Sequence, residues 1–291
     1  MKSDRLIILD SNSLVHRSYH ALPPLTLSNG EAVQAVYGFM AMFLKAIKDL
    51  DPQYVLACFD VAGKNFRHEA YQEYKAHRAK APDDLYSQIP HVQKILKVFG
   101  VPVLGVSGFE ADDLIATLAV QAQGEGCEVY IVSGDLDNTQ LVNDKIKVYG
   151  LGGKGIKDTL IYDALKVRER FGVNPDQVID YKSIAGDASD NIPGGKGLGP
   201  KFAQELLGQY KGIKEIFALI ESGEAWDLNQ KTKDLLLKNK NLIELSYKLA
   251  AARLDAPVTF KKEDCIWGKF EKAKVEAIFK EYKFFSLINR L

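Results

Sequence analysis

Residues 108–115 read GFEADDLI and place three carboxylates, Glu110, Asp112 and Asp113, within four positions among apolar neighbours. Acids this close repel one another and are costly to bury unless something positive sits among them. The same chemistry recurs along the chain. Asp10 ends RLIILD, Asp60 ends YVLACFD, Asp135 and Asp137 follow VYIVSG, and Asp187 and Asp190 precede the glycine-rich GGKGLG. These nine acids, with no His or Cys among them, make an all-oxygen donor set that suits Mg²⁺ or Mn²⁺ and argues against zinc. Two such ions roughly 3.5–4 Å apart can activate a water and stabilise the leaving oxygen of a phosphodiester.

The elements that must position these acids are readable as short, β-rich apolar runs. Leu6–Leu9, Tyr54–Phe59 and Val129–Val132 are expected to be buried parallel strands, with a fourth at Val101–Val106 and a fifth at Lys147–Leu151. Helical patterns lie between them. The alternation predicts an α/β fold with a mostly parallel central sheet flanked by helices. Ligand sites of open α/β sheets lie outside the carboxyl ends of the strands, and four segments deliver acids to that edge. Helix capping accounts for one Asp after one strand. It does not account for four converging segments, nor for Asp112 beside Asp113.

From Pro175 onward the patterns are helical, so residues 1–174 are expected to form an α/β domain and 175–291 a helical one. The helical part opens with IDYKSIAGDASDNIPGGKGLGPKFAQELLGQY, in outline a helix–turn–helix hairpin with Pro200 at a favoured first helical position. In its turn Gly194, Gly195, Lys196, Gly197, Gly199 and Lys201 resemble an anion cradle, where glycines let backbone N–H groups approach a phosphate. Between Val61 and Pro82, Lys64, Arg67, Lys75, Arg78 and Lys80 stand against Glu69 and Glu73, a balance of +3, with Tyr71 and Tyr74 interleaved. That mixture suits single-stranded nucleic acid, although alone it reads as a solvated helix face.

Composition sets wider bounds. With 291 residues, 46% hydrophobic and 26% charged, the chain is an ordinary globular protein. No apolar run approaches the length of a membrane helix, and MKSDRLIILD is too short and too acidic for a signal peptide. Cys58, Cys127 and Cys265, with no CxxC, fit buried thiols in a reducing cytoplasm. Lys and Arg balance Asp and Glu at 38 each; setting the nine acids aside leaves 29 against 38, or +9. A metallated pocket would therefore leave a largely basic surface, and the zero net charge does not speak against nucleic acid.

The segments LDSNSLVHRSYHALP, FRHEAYQEYKAHR, GFEADDLIA, VSGDLDNTQLV and GDASDNIPGGKGLGPK together resemble the 5′ nuclease (flap endonuclease) family, in order and nearly end to end. Among its branches the chain looks most like the N-terminal 5′→3′ exonuclease domain of bacterial DNA polymerase I. The resemblance implies a structure-specific nuclease that removes 5′ flaps and RNA primers in DNA replication and repair. It implies that Asp10, Asp60, Glu110, Asp112 and Asp113 surround one ion and that Asp135, Asp137, Asp187 and Asp190 surround a second. It further implies a helical arch at about 61–90, over the site, in which Lys75 and Arg78 stabilise charge on the scissile phosphate. Arg67 and Tyr74 would contact DNA there, Tyr74 by stacking on an unpaired base. The Gly194–Lys201 loop matches a helix–hairpin–helix duplex-binding motif that holds K⁺ against a phosphate. Water activated at the ions, with no protein nucleophile, is the expected attacking group. A monomer in the bacterial cytoplasm, associated with the nucleoid, is expected, alone or joined to a polymerase domain.

Asn138 and Thr139 depart from the family pattern, which has two large apolar residues before QLV. His16, His20, His68, His77 and His91 are given no catalytic role. A haloacid-dehalogenase-like phosphatase also places Asp after its first strand. That family wants D-x-D where this chain has Asp10-Ser11-Asn12, and it gives no account of the hairpin. A catalytically weak flap-DNA-binding module is opposed by the presence of all nine acids. A plain nucleotide-binding protein lacks its GxGxxG or Walker A loop.

Overall fold

The computed structural model describes residues 4–78, 81–151 and 159–291. Strands β1 (Arg5–Asp10), β2 (Tyr54–Cys58), β3 (Val103–Leu104), β4 (Glu128–Ser133), β5 (Ile146–Leu151) and β6 (Thr159–Tyr162) form one sheet in the order β3-β2-β1-β4-β5-β6. β1 to β5 pair in parallel and β6 runs antiparallel to β5. The expected strand at Val101–Val106 is reduced to two residues at the sheet edge, where Pro102 has no N–H to give a ladder. β6 has no counterpart in the sequence reading. It is a short, partly exposed edge strand and so lacks the continuous apolar run of a buried one.

Successive strand residues face opposite sides, and the two sides carry separate cores. Ile7, Leu9, Val55, Ala57 and Val132 pack with α2 (Gln34–Leu50) and α5 (Ile89–Val98). Leu6, Ile8, Leu56, Val129, Ile131 and Val148 pack with α6 (Ala111–Gly124) and, in the same cluster, with α8 (Val178–Ala185), α9 (Pro200–Leu207), α10 (Ile213–Ser222) and α11 (Gln230–Ala250). The remaining helices are α1 (Ser11–Ala21), α3 (Phe66–Ala70), α4 (Asp83–Tyr86), α7 (Ala164–Phe171), α12 (Lys272–Glu281) and α13 (Phe285–Ile288).

Two expectations change here. Residues 175–291 do not pack as one unit: α12 and α13 return to the far side of the sheet, where Val275, Ile278, Phe279 and Leu287 join the α2–α5 core. The cause is aromatic, since Phe99 meets Phe279 at 5.9 Å and Trp267 at 5.7 Å between ring centroids. The segment at 61–90 is not a continuous helical arch among the described residues. It forms α3, turns over Tyr71–Arg78 and α4, and the turns are tied to the loop after α8. Lys75 N–H donates to Asp190 O (2.9 Å), Asn191 Nδ2 to Glu73 O (2.6 Å) and Arg78 Nε to Ser189 O (3.3 Å). Lys75 and Asn191 both take left-handed backbone conformations, φ +56° and +54°, to make this join.

Candidate active site

The strand order reverses between β1 and β4, which opens a crevice at the carboxyl ends of these strands. Asp10 is the last residue of β1 and Ser133 the last of β4. Ser133 Oγ donates to Asp10 Oδ2 (2.6 Å), so the crevice begins with a carboxylate held across the switch point. Asp60, just past β2, accepts from Ala111 N–H (2.7 Å) and is thereby tied to the first turn of α6. Glu110 caps that helix and Asp112 follows within it. Asp135 and Asp137 come from the loop and 3₁₀ turn after β4 (Asp137–Leu141), and Asp190 from the loop after α8.

Seven of the nine predicted acids, Asp10, Asp60, Glu110, Asp112, Asp135, Asp137 and Asp190, line one cavity of about 570 Å³. Asp187 lines an adjoining one, with Asp135 and Asp137 shared between the two. Asp113 lines neither. Its carboxylate is fully buried and takes a bidentate pair from Arg67, Nη1 at 2.9 Å and Nη2 at 2.8 Å, plus Arg253 N–H at 2.8 Å and Glu110 N–H at 3.1 Å. Arg67, expected on DNA, is 2% exposed and also donates to Leu249 O and Ala251 O. The positive group demanded by GFEADDLI is therefore, for Asp113, an arginine of the chain itself. Neighbouring helix positions point about 100° apart, which sends Asp112 to the cavity and Asp113 to the core.

Tyr74 is likewise turned inward. It is 3% exposed, packs with Ile192 and Leu249, and its hydroxyl lies 3.2 Å from both Glu110 Oε2 and Asp190 Oδ2. Lys75 and Arg78 do reach the cavity. Lys75 Nζ is 3.0 Å from Glu110 Oε1 and 3.7 Å from Asp190 Oδ2, and Arg78 pairs with Asp190. Several further residues, not singled out by their sequence pattern, line or support the cavity. Asn12, Ser13, His16, Arg17 and His20, along one side of α1, line the cavity. Lys182 of α8 is buried between Asp137 and Asp187, with Nζ 2.7 Å from Asp187 Oδ2. Asn138 Nδ2 donates to Asp112 Oδ1 (2.9 Å). The α1 residues had a readable signal, since positions 12, 13, 16 and 20 alternate with the buried Leu14, Val15 and Ser18 at helical spacing.

Like charges dominate the electrostatics. Burial, then Asp10 and Asp137, push the Asp112 carboxyl well above the usual carboxylate range. Asp10 is raised by burial and by Asp60, against hydrogen bonds from Ser133 and Ser13. Burial and Asp135 push Asp137 up to about 7 despite Lys182. Asp187 is held below its usual value because Lys182 outweighs its burial. Protein cations pair with Glu110, Asp137, Asp187 and Asp190, and among the described residues no three of the acids close on a single ligating point. Asp10 and Asp112 have no ion pair among the described residues. Crowded carboxylates driven toward their neutral forms are a donor set that hard divalent cations stabilise, so the residues present fit such ions.

The hairpin spends most of its backbone donors internally. Gly194 N–H donates to Ser246 Oγ (3.0 Å), Gly195 N–H to Ile184 O (2.8 Å) and Lys196 N–H to Asn239 Oδ1 (2.7 Å). Gly194 has φ +61°, and a Cβ there would fall 2.3 Å from Gly186 N, so its glycine serves a close backbone crossing. At Gly197 and Gly199 a Cβ would meet nothing within 4 Å, and the Lys201 side chain is exposed.

Fold and site define a class: a doubly wound α/β protein with an acid-lined pocket at its topological switch point and a helical hairpin beside it. Two family models match the chain, the 5′-3′ exonuclease N-terminal resolvase-like domain over residues 5–172 and the 5′-3′ exonuclease C-terminal SAM fold over 173–273. The chain belongs to the 5′-3′ exonuclease family, as the motifs implied. A 5′-3′ exonuclease of Aquifex aeolicus is 36% identical over 286 residues, covering 98% of this chain and 94% of that one. DNA polymerase I of Bacillus caldotenax is 38% identical over 287 residues, covering 99% of this chain but 32% of that one. The chain thus spans about a third of its DNA polymerase I relatives. Among solved structures, T5 5′-exonuclease with bound divalent metal ions (zinc) matches with a TM-score of 0.70 at 20% identity, over 96% of this chain and 98% of that one. The catalytic core of Rad2 in complex with DNA substrate matches with a TM-score of 0.61 at 17% identity, over 99% and 93%. Both are likenesses of fold.

Proposed function

We propose that this chain hydrolyses DNA phosphodiesters beside single-strand/duplex junctions, as a 5′→3′ exonuclease and 5′-flap endonuclease that also removes RNA primers. The observation that carries the reading is the convergence of seven carboxylates from five chain segments on one cavity, with Lys75 and Arg78 reaching into it. Asp10, Asp60, Glu110 and Asp112 would hold one Mg²⁺ or Mn²⁺, and Asp135, Asp137, Asp187 and Asp190 a second. When bound, such ions supply an activated water and neutralise charge on the leaving oxygen. Asp113 belongs with Arg67 in this scheme and fixes the start of α6.

The chain's own groups do the rest. Lys75 Nζ and the Arg78 guanidinium, now paired with Glu110 and Asp190, are placed to turn toward the non-bridging oxygens of a phosphate entering the cavity. Ser133 holds Asp10. Gly197, Gly199 and Lys201 are the hairpin positions open to a duplex phosphate, and a K⁺ ion is proposed to bridge there. We further propose a monomer of the bacterial cytoplasm, acting where a polymerase leaves flaps. The test is cleavage of a 5′-labelled flap duplex in Mg²⁺ and in EDTA, with Asp112→Ala alongside. Cutting near the junction in Mg²⁺ alone, lost in the variant, is expected. Flap binding without cutting by the unaltered chain would refute the enzyme.

A further inference from the structure

Asn138 occupies a place where an apolar side chain would be more stable. It is 1% exposed, directly follows Asp137 in the 3₁₀ turn, and its Oδ1 is buried with no hydrogen-bond partner. A buried acceptor left without a partner destabilises the fold. With Asp112 ionised, as metal binding requires, the amide cannot reverse to relieve this, because Oδ1 would then face the carboxylate. Asp112 in turn depends on Asn138. Its neighbours Asp10, Asp137 and Asp135 all repel it, and among the described residues Asn138 is the hydrogen-bond donor to its side chain. The bond also joins two parts of the site that are distant in sequence, the first turn of α6 and the turn after β4.

We propose that Asn138 is a positioning residue: it pins Asp112 against the Asp135–Asp137 turn, so that the two groups of acids take up divalent ions as one unit. The inference rests on the two-ion reading above. Without the pin, the Asp112 carboxylate would swing from its repelling neighbours, and metal binding would have to pay to bring it back. Groups that orient metal ligands in this way typically matter 10–100-fold in affinity. An apolar replacement removes the pin and the orphaned acceptor together, so its effects on metal and on fold have opposite signs.

The experiment titrates Mn²⁺ calorimetrically into the full chain and into Asn138→Leu, with thermal unfolding of each in EDTA. Mn²⁺ affinity should fall about 10–100-fold in Asn138→Leu, while its Tm in EDTA equals or exceeds that of the unaltered chain. Asn138→Ala, which cannot overpack, should weaken Mn²⁺ in the same way. Unchanged affinity in both variants overturns the inference alone. A parallel loss of Tm and affinity in both marks a merely structural role and also overturns it. Failure of the unaltered chain to take up Mn²⁺ overturns the two-ion reading and the inference with it.

Discussion

Asp112 and Asp113 are chemically identical neighbours, and the structure predicts opposite outcomes for neutralising them. Asp113→Asn removes the carboxylate that pairs with buried Arg67, and breaking such a pair generally costs about 3–5 kcal/mol. The low end applies here, about 3 kcal/mol, because Glu110 Oε2 remains 3.4 Å from Arg67 Nη1. For a chain of this size each kcal/mol moves Tm by roughly 2–4 °C, so Asp113→Asn should melt roughly 6–12 °C lower. Asp112→Asn keeps the oxygen that accepts from Asn138 and removes a charge crowded by Asp10 and Asp137. Its Tm in EDTA should be unchanged or higher. The assay is thermal unfolding of both variants in EDTA above neutral pH, followed by Mn²⁺ titration. Asp113→Asn should still take up Mn²⁺ below its lowered Tm, and Asp112→Asn should not. Equal destabilisation by the two substitutions would refute this assignment of partners.

The other predictions concern charge and backbone. Metal binding needs ionised acids, so Mn²⁺ affinity should climb as pH rises through about 7, where burial and Asp135 have pushed Asp137; calorimetry across that range checks this. The same raised acids favour the metal-free fold while protonated. For Asp137 the stabilising contribution is full below about pH 4 and lost as pH rises through about 7, and raised Asp10 and Asp112 act in the same direction, so Tm in EDTA should fall over that interval. Lys182→Met strips the cation from between Asp137 and Asp187, and should lower Tm in EDTA by more than in Mn²⁺; an equal loss in both would contradict it. Gly194→Ala drives a Cβ into Gly186 at φ +61° and should cost roughly 1–3 kcal/mol in denaturant unfolding.

The parallel strands were legible because strands buried on both faces read as continuous apolar runs, and the acids after them because strand ends collect ligands. β6 and the curtailed β3 lie at sheet edges, where that signal fades. What separates Asp112 from Asp113 is Arg67, far away in sequence, so no local pattern distinguishes them. Tyr74 looked like a stacking group because it stands among basic residues. Its burial depends on Ile192 and Leu249, which only the folded chain brings near. Lys182 was hidden in an ordinary helical stretch and is found only by asking what compensates Asp137 and Asp187. The return of α12 and α13 to the opposite face similarly depends on Phe99 and Phe43, which lie in the first half of the chain.

Everything proposed for this chain depends on the acids at the switch point forming a divalent-ion site. Counting bound Mn²⁺ by electron paramagnetic resonance, with a flap duplex present, tests it most directly. Two ions per chain are expected, fewer in Asp112→Asn, and two still in Asp113→Asn. No bound Mn²⁺, or a count left unchanged by Asp112→Asn, would contradict it.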